Sequence, residues 1–473
     1  MSIQSIIDYY RLPEEFLDFS SAGSLQEPKG YFQFGPSVIG YGQTISNTSA
    51  TVHKRLLDIS QHVSSQERTF VLPFDLTRVI DNLRYERYVN QSGQWWLESQ
   101  WIKNIYYLLR PLLPLSIRKH VQQIALSGWD TIPFPRWPVE RSVDVLFEKL
   151  LVLAMHALHL DRIPFIWFWP EGHTACAIVT HDVETSAGRD FTGRLMDIDE
   201  AFGVKASFQI VPEKRYRVPP EYLDAIRERG FEICVQGLNH DGRLFGNYEA
   251  FLKCAKKINH YAEQFGAQGF RSPVLYRKVD WFKALCFSYD MSMPNVAHLE
   301  PQRGGCCTVM PYFLPNGMLE LPLTTTQDYS LFHILEEYSL ALWRQQISII
   351  LDGHGLMSFL IHPDYVIQKC AQDVYKALLD YVNRLRSDHR IWVALPREVD
   401  CWWRERSEMQ LVADNAGWRI KGPGSSRARL AYARLDGGRL VYEIDVAQKG
   451  ENETHAGTPA LRVARPLVRT QHL

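Results

Sequence analysis

Hydrophobic and polar positions alternate in two rhythms along the middle of this chain. Apolar, β-branched runs of strand length fall at 175–183, 204–211, 231–235, 269–273, 319–324, 357–362 and 391–395. Between them, apolar residues recur every three to four positions, which predicts helices over 193–202, 220–229, 248–265, 332–352 and 366–387. Strands that alternate with helices imply parallel βαβ units, in which polar residues at strand C-termini converge on one face. The first strand breaks the apolar pattern most sharply. Its run Ala175-Cys-Ala-Ile-Val-Thr-His-Asp-Val-Glu184 ends in two acids two positions apart, so Asp182 and Glu184 share a face of the extended chain. Carboxylates at a buried strand end need a cation, a proton or a partner, although a helix-capping acid would look the same in isolation.

Outside this stretch the pattern weakens. Residues 1–165 start with Gly/Pro/Ser-rich segments around 23–45 and then turn helical, predicting a mostly helical N-terminal region. Within it, 101–119 mixes aromatics and bases without an acid, a composition suited to a peripheral membrane contact or to a packed helix pair broken at Pro111 and Pro114. The segment 130–138 reads as an extended connector, because proline disfavours helix before it. After residue 408, two short strand patterns flank Asp436-Gly-Gly438, a hairpin signal, and predict a small β appendage. The expected division is 1–165, 166–407 and 408–473.

Composition narrows the function classes. The 473 residues carry a net charge of −1, which leaves no footprint for nucleic acid, and no glycine-rich phosphate loop is present. The eight cysteines are scattered among apolar segments, as buried free thiols in a reducing compartment would be. The opening segment lacks a basic stretch followed by a long apolar core, and the run 150–160 is shorter than the ~20 residues of a membrane span. A cytoplasmic protein is expected, in peripheral contact with the inner face of the membrane if 101–119 touches lipid.

Four short motifs follow predicted strands in order: Thr180-His-Asp-Val-Glu184, Gln236-Gly-Leu-Asn-His240, Phe270-Arg-Ser-Pro273 and Leu360-Ile-His-Pro363. Together they resemble the successive motifs of the polysaccharide deacetylases, the chitooligosaccharide deacetylase homology group or carbohydrate esterase family four, over about 171–405. The resemblance implies a deformed, incomplete (β/α) TIM-like barrel and hydrolysis of an amide on an amino-sugar glycan or its lipid- or nucleotide-linked precursor. It assigns Asp182 as general base, Arg271 as the arginine that orients it, and His362 as the acid for the departing amine. Glu184, His240 and Gln236 occupy the metal positions, for a divalent ion that resembles a zinc site in its His/carboxylate character. Asp290, Trp281 and Pro273 are expected to border the substrate, and His181, His298 and His354 read as hydrogen-bonded structural histidines.

One position departs from the family pattern: Gln236 stands where the first metal histidine belongs. A glutamine carbonyl is a poorer zinc ligand than imidazole. Three readings stay open: a metal held by Glu184, His240 and a neighbour such as Asp241, a weaker or different metal, or a pocket without metal catalysis. Two other functions stay open with them. One is a metal-independent hydrolase of a small cyclic amide on the same barrel. The other is a catalytically silent carbohydrate-binding protein of envelope polysaccharide assembly.

Overall fold

A computed structural model describes residues 4–66, 69–89, 124, 126–415 and 417–445. The segment 101–119 and the tail after Lys449 lie outside the described residues. Among those described, no helix is long and apolar enough to cross a membrane.

The alternation read from the sequence is an incomplete barrel. Its elements are β1 (Cys176–Val183), α1 (Ser186–Ala201), β2 (Ser207–Ile210), α2 (Pro220–Glu228), β3 (Glu232–Gln236), α3 (Tyr248–Phe265), β4 (Gly269–Arg271) and β5 (Tyr289–Asp290). They continue as β6 (Tyr312–Phe313), β7 (Leu319–Glu320), α4 (Ala341–Asp352), β8 (Leu356–Ile361), α5 (Lys369–Asp388), β9 (Trp392–Val393) and α6 (Pro396–Glu408). The sheet order is β6-β7-β5-β4-β3-β2-β1-β8, with β9 beside the start of β1; only β6 runs antiparallel. Every residue of β1 and β8 is buried, as a parallel sheet covered on both faces requires. Beyond β7 no backbone ladder continues to β8, and threonine hydroxyls bridge the gap instead. Thr324 Oγ1 donates to Leu356 O at 2.6 Å and accepts from Ser358 N at 3.0 Å, while Thr325 Oγ1 donates to Ser358 O at 2.7 Å.

Alternation along β1 sends Thr180 and Asp182 to one face and His181 to the other. His181 there meets Asp199 of α1 at 2.9 Å, and Asp199 also accepts from Tyr375 of α5 at 2.5 Å. This buried trio fastens the C-terminal end of β1 to two helices.

Several expectations need correction. Helix α1 starts seven residues before 193, because Thr185 caps it by accepting from Gly188 N at 3.0 Å. The single helix expected over 332–352 is instead a π-turn at Ser330–Ile334 followed by α4, with Glu336 left-handed between them. Helix α6 was not foreseen. The N-terminal region is not mostly helical as far as it is described: strands occupy Phe19–Ser21, Gln26–Gln33, Ile39–Thr44, Ser64–Gln66 and Thr69–Leu72. These short strands pair across gaps of up to 50 residues, which no local periodicity reveals.

The C-terminal hairpin forms where expected, with Gly437 and Gly438 both at positive φ, as a two-residue type I′ turn demands. Its first strand, Leu430–Asp436, pairs with Arg162–Ile166. Apolar residues from Ile6 to Ala433 then form one continuous core. The N-terminal region is tied to the barrel by Arg277, which grips Glu86 in a buried two-pronged ion pair (Nε to Oε2 2.7 Å), and by Tyr88, which donates to Gly305 O at 2.7 Å.

Candidate active site

The C-terminal ends of β1, β3, β4 and β8 bring six of the expected residues together. Asp182 lies beside Gln209 in register, and Arg271 beside Gln236. The carboxylate of Asp182 is 98% shielded from solvent at the residue level, and it accepts from Gln236 Nε2 at 2.9 Å. The same amide nitrogen donates to Glu184 Oε1 at 2.9 Å. His240 Nε2 approaches that oxygen at 2.7 Å, without the alignment of a hydrogen bond. His362 Nε2 stands 3.5 Å from it. Glu184 is therefore the point on which Gln236, His240 and His362 converge.

Two charged groups stand behind the pair Asp182 and His362. Arg271, fully buried, donates to Thr180 Oγ1 at 2.9 Å and places Nη1 3.8 Å from Asp182 Oδ1. Asp328 accepts twice from His362, from Nδ1 at 2.7 Å and from the backbone N at 2.7 Å. The ring of Tyr365 lies 4.8 Å from the imidazole, centroid to centroid.

The electrostatics follow from burial and these partners. Burial raises the Asp182 carboxyl above its usual range, opposed first by Arg271. Burial also disfavours the Glu184 carboxylate, but His240 and His362 outweigh it and hold that carboxyl well below the usual range. For His362, burial works against the charged ring, while Asp328 and then Glu184 push its pKa well above the ordinary imidazole value. Asp364 nearby is raised to about 6, mainly by burial.

The donor chemistry suits a divalent cation. Asp182, Glu184 and His362 each offer one ligand atom, all within 4.8 Å of one another. At the positions expected to bind metal, Gln236 Oε1 and both ring nitrogens of His240 are buried without a hydrogen-bond partner. Rotating the Gln236 amide by half a turn would aim that oxygen, instead of the N–H, at the space beside Glu184.

The residues expected to border the substrate are placed differently. Asp290 is fully buried, accepts from Ser292 Oγ at 2.6 Å and faces Glu320, its ladder partner. It touches no accessible surface. Burial and the neighbouring Asp290 raise Glu320 well above the carboxylate range. Trp281 packs among Phe245, Tyr248 and Phe251 under Lys278, in the helical layer. Pro273 is buried against Gly237, where a Cβ would come within 2.3 Å of its ring. Asp328 was the functional residue missed. Its signal was available, since it follows the strand at 319–324 as Glu184 and His362 follow theirs.

Among solved structures, one described as a polysaccharide deacetylase from Mycobacterium smegmatis is 19% identical with a TM-score of 0.43, covering 50% of this chain and 93% of that one. The peptidoglycan deacetylase PdaC from Bacillus subtilis is 12% identical with a TM-score of 0.31, covering 50% and 95%. A CE4 family pseudoenzyme from Bacillus anthracis is 13% identical with a TM-score of 0.30, covering 49% and 66%. No family model and no curated protein matches the chain.

Proposed function

We propose that this chain hydrolyses the amide of an N-acetylated amino sugar, in a glycan or in its lipid- or nucleotide-linked precursor. The observation that carries the reading is a base and an acid with opposite support. Asp182 is backed by a guanidinium and His362 by a carboxylate, and both face the space beside Glu184. A pure binder has no need of such a pair.

Asp182 takes a proton from water as its oxygen bonds to the acetyl carbon. His362, held protonated by Asp328, gives its Nε2 proton to the amine nitrogen as the C–N bond breaks, leaving acetate and a free amino sugar. Arg271 opposes the burial that disfavours the Asp182 carboxylate. Glu184, His240 and, after amide rotation, Gln236 would hold a divalent cation. Such an ion supplies Lewis-acid polarisation of the carbonyl oxygen and lowers the pKa of bound water toward ~7.

One observation favours the second reading, a metal-independent hydrolase of a small cyclic amide. As oriented, Gln236 bridges Asp182 and Glu184 through its N–H groups and so performs part of a cation's task. Elemental analysis of the wild type beside His240→Ala, together with acetate release from N-acetylglucosamine oligomers, separates the two. About one divalent ion per chain, lost in the variant, with chelator-sensitive acetate release, is the expected result. Metal-free protein that stays inactive when zinc is supplied would refute the deacetylase mechanism.

A further inference from the structure

The loop 297–304 follows β5 and carries three groups, His298, Glu300 and Arg303, that the acid/base centre does not use. His298 is buried and its ring stacks on Trp137, with centroids 5.8 Å apart and planes at 21°. Trp137 in turn meets Trp129 edge-on at 4.9 Å. Both tryptophans are half-buried. Burial lowers the His298 pKa to about 4, so the ring is a neutral stacking surface. Arg303, on the same loop, has Nη1 buried without a hydrogen-bond partner. Burial disfavours its charge, and Glu300 is the one described group that offsets this.

This loop adjoins the reactive centre. Glu300 accepts from Gln327 at 2.6 Å, and Gln327 directly precedes the Asp328 that holds His362. Burial raises the Glu300 pKa to about 7, with His362 and Arg303 both near enough to oppose the rise. A buried guanidinium N–H without a partner, whose charge reaches the His298 ring that Trp137 stacks on, is a poor structural device. It is a good fit for a sugar ring that carries a negative charge, because the ring's C–H face packs on indole while the oxyanion takes charge-assisted N–H bonds.

We propose that Trp129, Trp137 and Arg303, with the buried His298 backing Trp137, form a second subsite that takes an anionic sugar unit, bearing a carboxylate or a phosphate, adjoining the N-acetylated unit presented to Asp182 and His362. The subsite deepens the amide-hydrolase reading, on which it rests, by assigning it an acidic substrate.

Direct binding to the full chain tests it without relying on turnover. Calorimetry would compare N,N′-diacetylchitobiose as the neutral probe, the glucuronate–N-acetylglucosamine disaccharide as the carboxylate probe, and UDP-N-acetylglucosamine as the phosphate probe. At least one anionic probe should bind roughly tenfold or more tightly than the neutral one, with a preference that weakens in high salt. Which one does so identifies the anion. Arg303→Gln should abolish the preference and Arg303→Lys should restore part of it, whereas Trp137→Ala should weaken all probes together. If Arg303→Gln does not fold, Trp137→Ala and the salt series decide alone. Equal binding of the three probes, binding of none, or a preference that survives Arg303→Gln overturns the subsite. Acetate release lost while the Arg303-dependent preference remains would instead refute the hydrolase and leave the subsite standing.

Discussion

Replacing Asp328 by Asn probes the acid side of the site without touching anything a substrate contacts. The carboxylate is fully shielded and accepts two hydrogen bonds of 2.7 Å, from the ring and from the backbone of the same histidine. Asparagine offers one acceptor oxygen, so one of these donors must face an NH₂ group. Hydrogen bonds to a charged partner are worth about 1.5–3 kcal/mol each. Breaking a buried ion pair costs about 3–5 kcal/mol in total. His362 then loses the first group that raises its pKa, and its protonated fraction at neutral pH falls. Loss of a general acid costs roughly 10²–10⁴-fold in kcat. The expected result for acetate release is a large drop in kcat, a nearly constant KM and an alkaline limb that moves to lower pH. Stability has a matching signature. A histidine whose pKa is raised on folding stabilises the protein fully below its ordinary value near ~6.5, and the contribution disappears as pH rises through the folded value. The melting-temperature gap between wild type and variant should therefore be widest in acid. If kcat of the folded variant stays within threefold of wild type, or if the gap is independent of pH, Asp328 does not support the acid as argued.

Two further substitutions test the frame around the site. Glu86→Gln leaves the buried Arg277 guanidinium without its two-pronged partner, and should cost about 3–5 kcal/mol, read as a clear loss of urea resistance; an unchanged midpoint would mean that the N-terminal region does not clamp the barrel through this pair. Glu232, in β3, is raised by burial to about 7 from 4.5 and accepts from Tyr289 and from Arg397 N. Because the folded state holds that proton more tightly, wild-type stability falls as pH climbs from about 4.5 to about 7, by at most about 3 kcal/mol. Glu232→Gln stays neutral and should gain on the wild type at about pH 8 relative to about pH 4.5. A difference in melting temperature that is the same at both values would refute the assignment.

What could be read from the sequence was local. Asp182 and Glu184 were visible because a strand places alternate residues on one face and because acids are anomalous in an apolar run. Gln236, His240, Arg271 and His362 were visible through short motifs at strand ends. Asp328 obeys the same strand-end rule but has no neighbouring motif, and its purpose appears only when β8 brings His362 beside it. The strands around 19–72 were hidden for a different reason. Three-residue strands such as Phe19–Ser21 and Ser64–Gln66 carry almost no alternation, and their pairing is decided by distant partners. Helix α6 was masked by Pro396, which reads as a breaker in sequence yet occupies the first helical turn, where a missing N–H costs nothing.

The charges around Glu184 also bear on why Gln236 is tolerated. Asp290 and Glu320 face each other, and burial raises both carboxyls. Asp182, Glu184, Asp328, Asp364 and Glu300 also lie buried or half-buried around the site, set against the guanidinium of Arg271 and the imidazolium of His362. Buried acids therefore outnumber buried cations around the site. Burial raises the Asp182 carboxyl, with Arg271 and His362 opposing the rise and Glu184 adding to it. A histidine at 236 would not mend this deficit of positive charge as a neutral ligand, nor does glutamine, whose N–H groups only share the load between two carboxylates. A divalent cation would offset it in one step, and protons on His240 and Asp182 would do so in two. The two solutions differ in a measurable way. Adding zinc to dialysed protein should release protons if they hold the site in its absence, and a pH-stat would register none if the deficit had never been filled by protons.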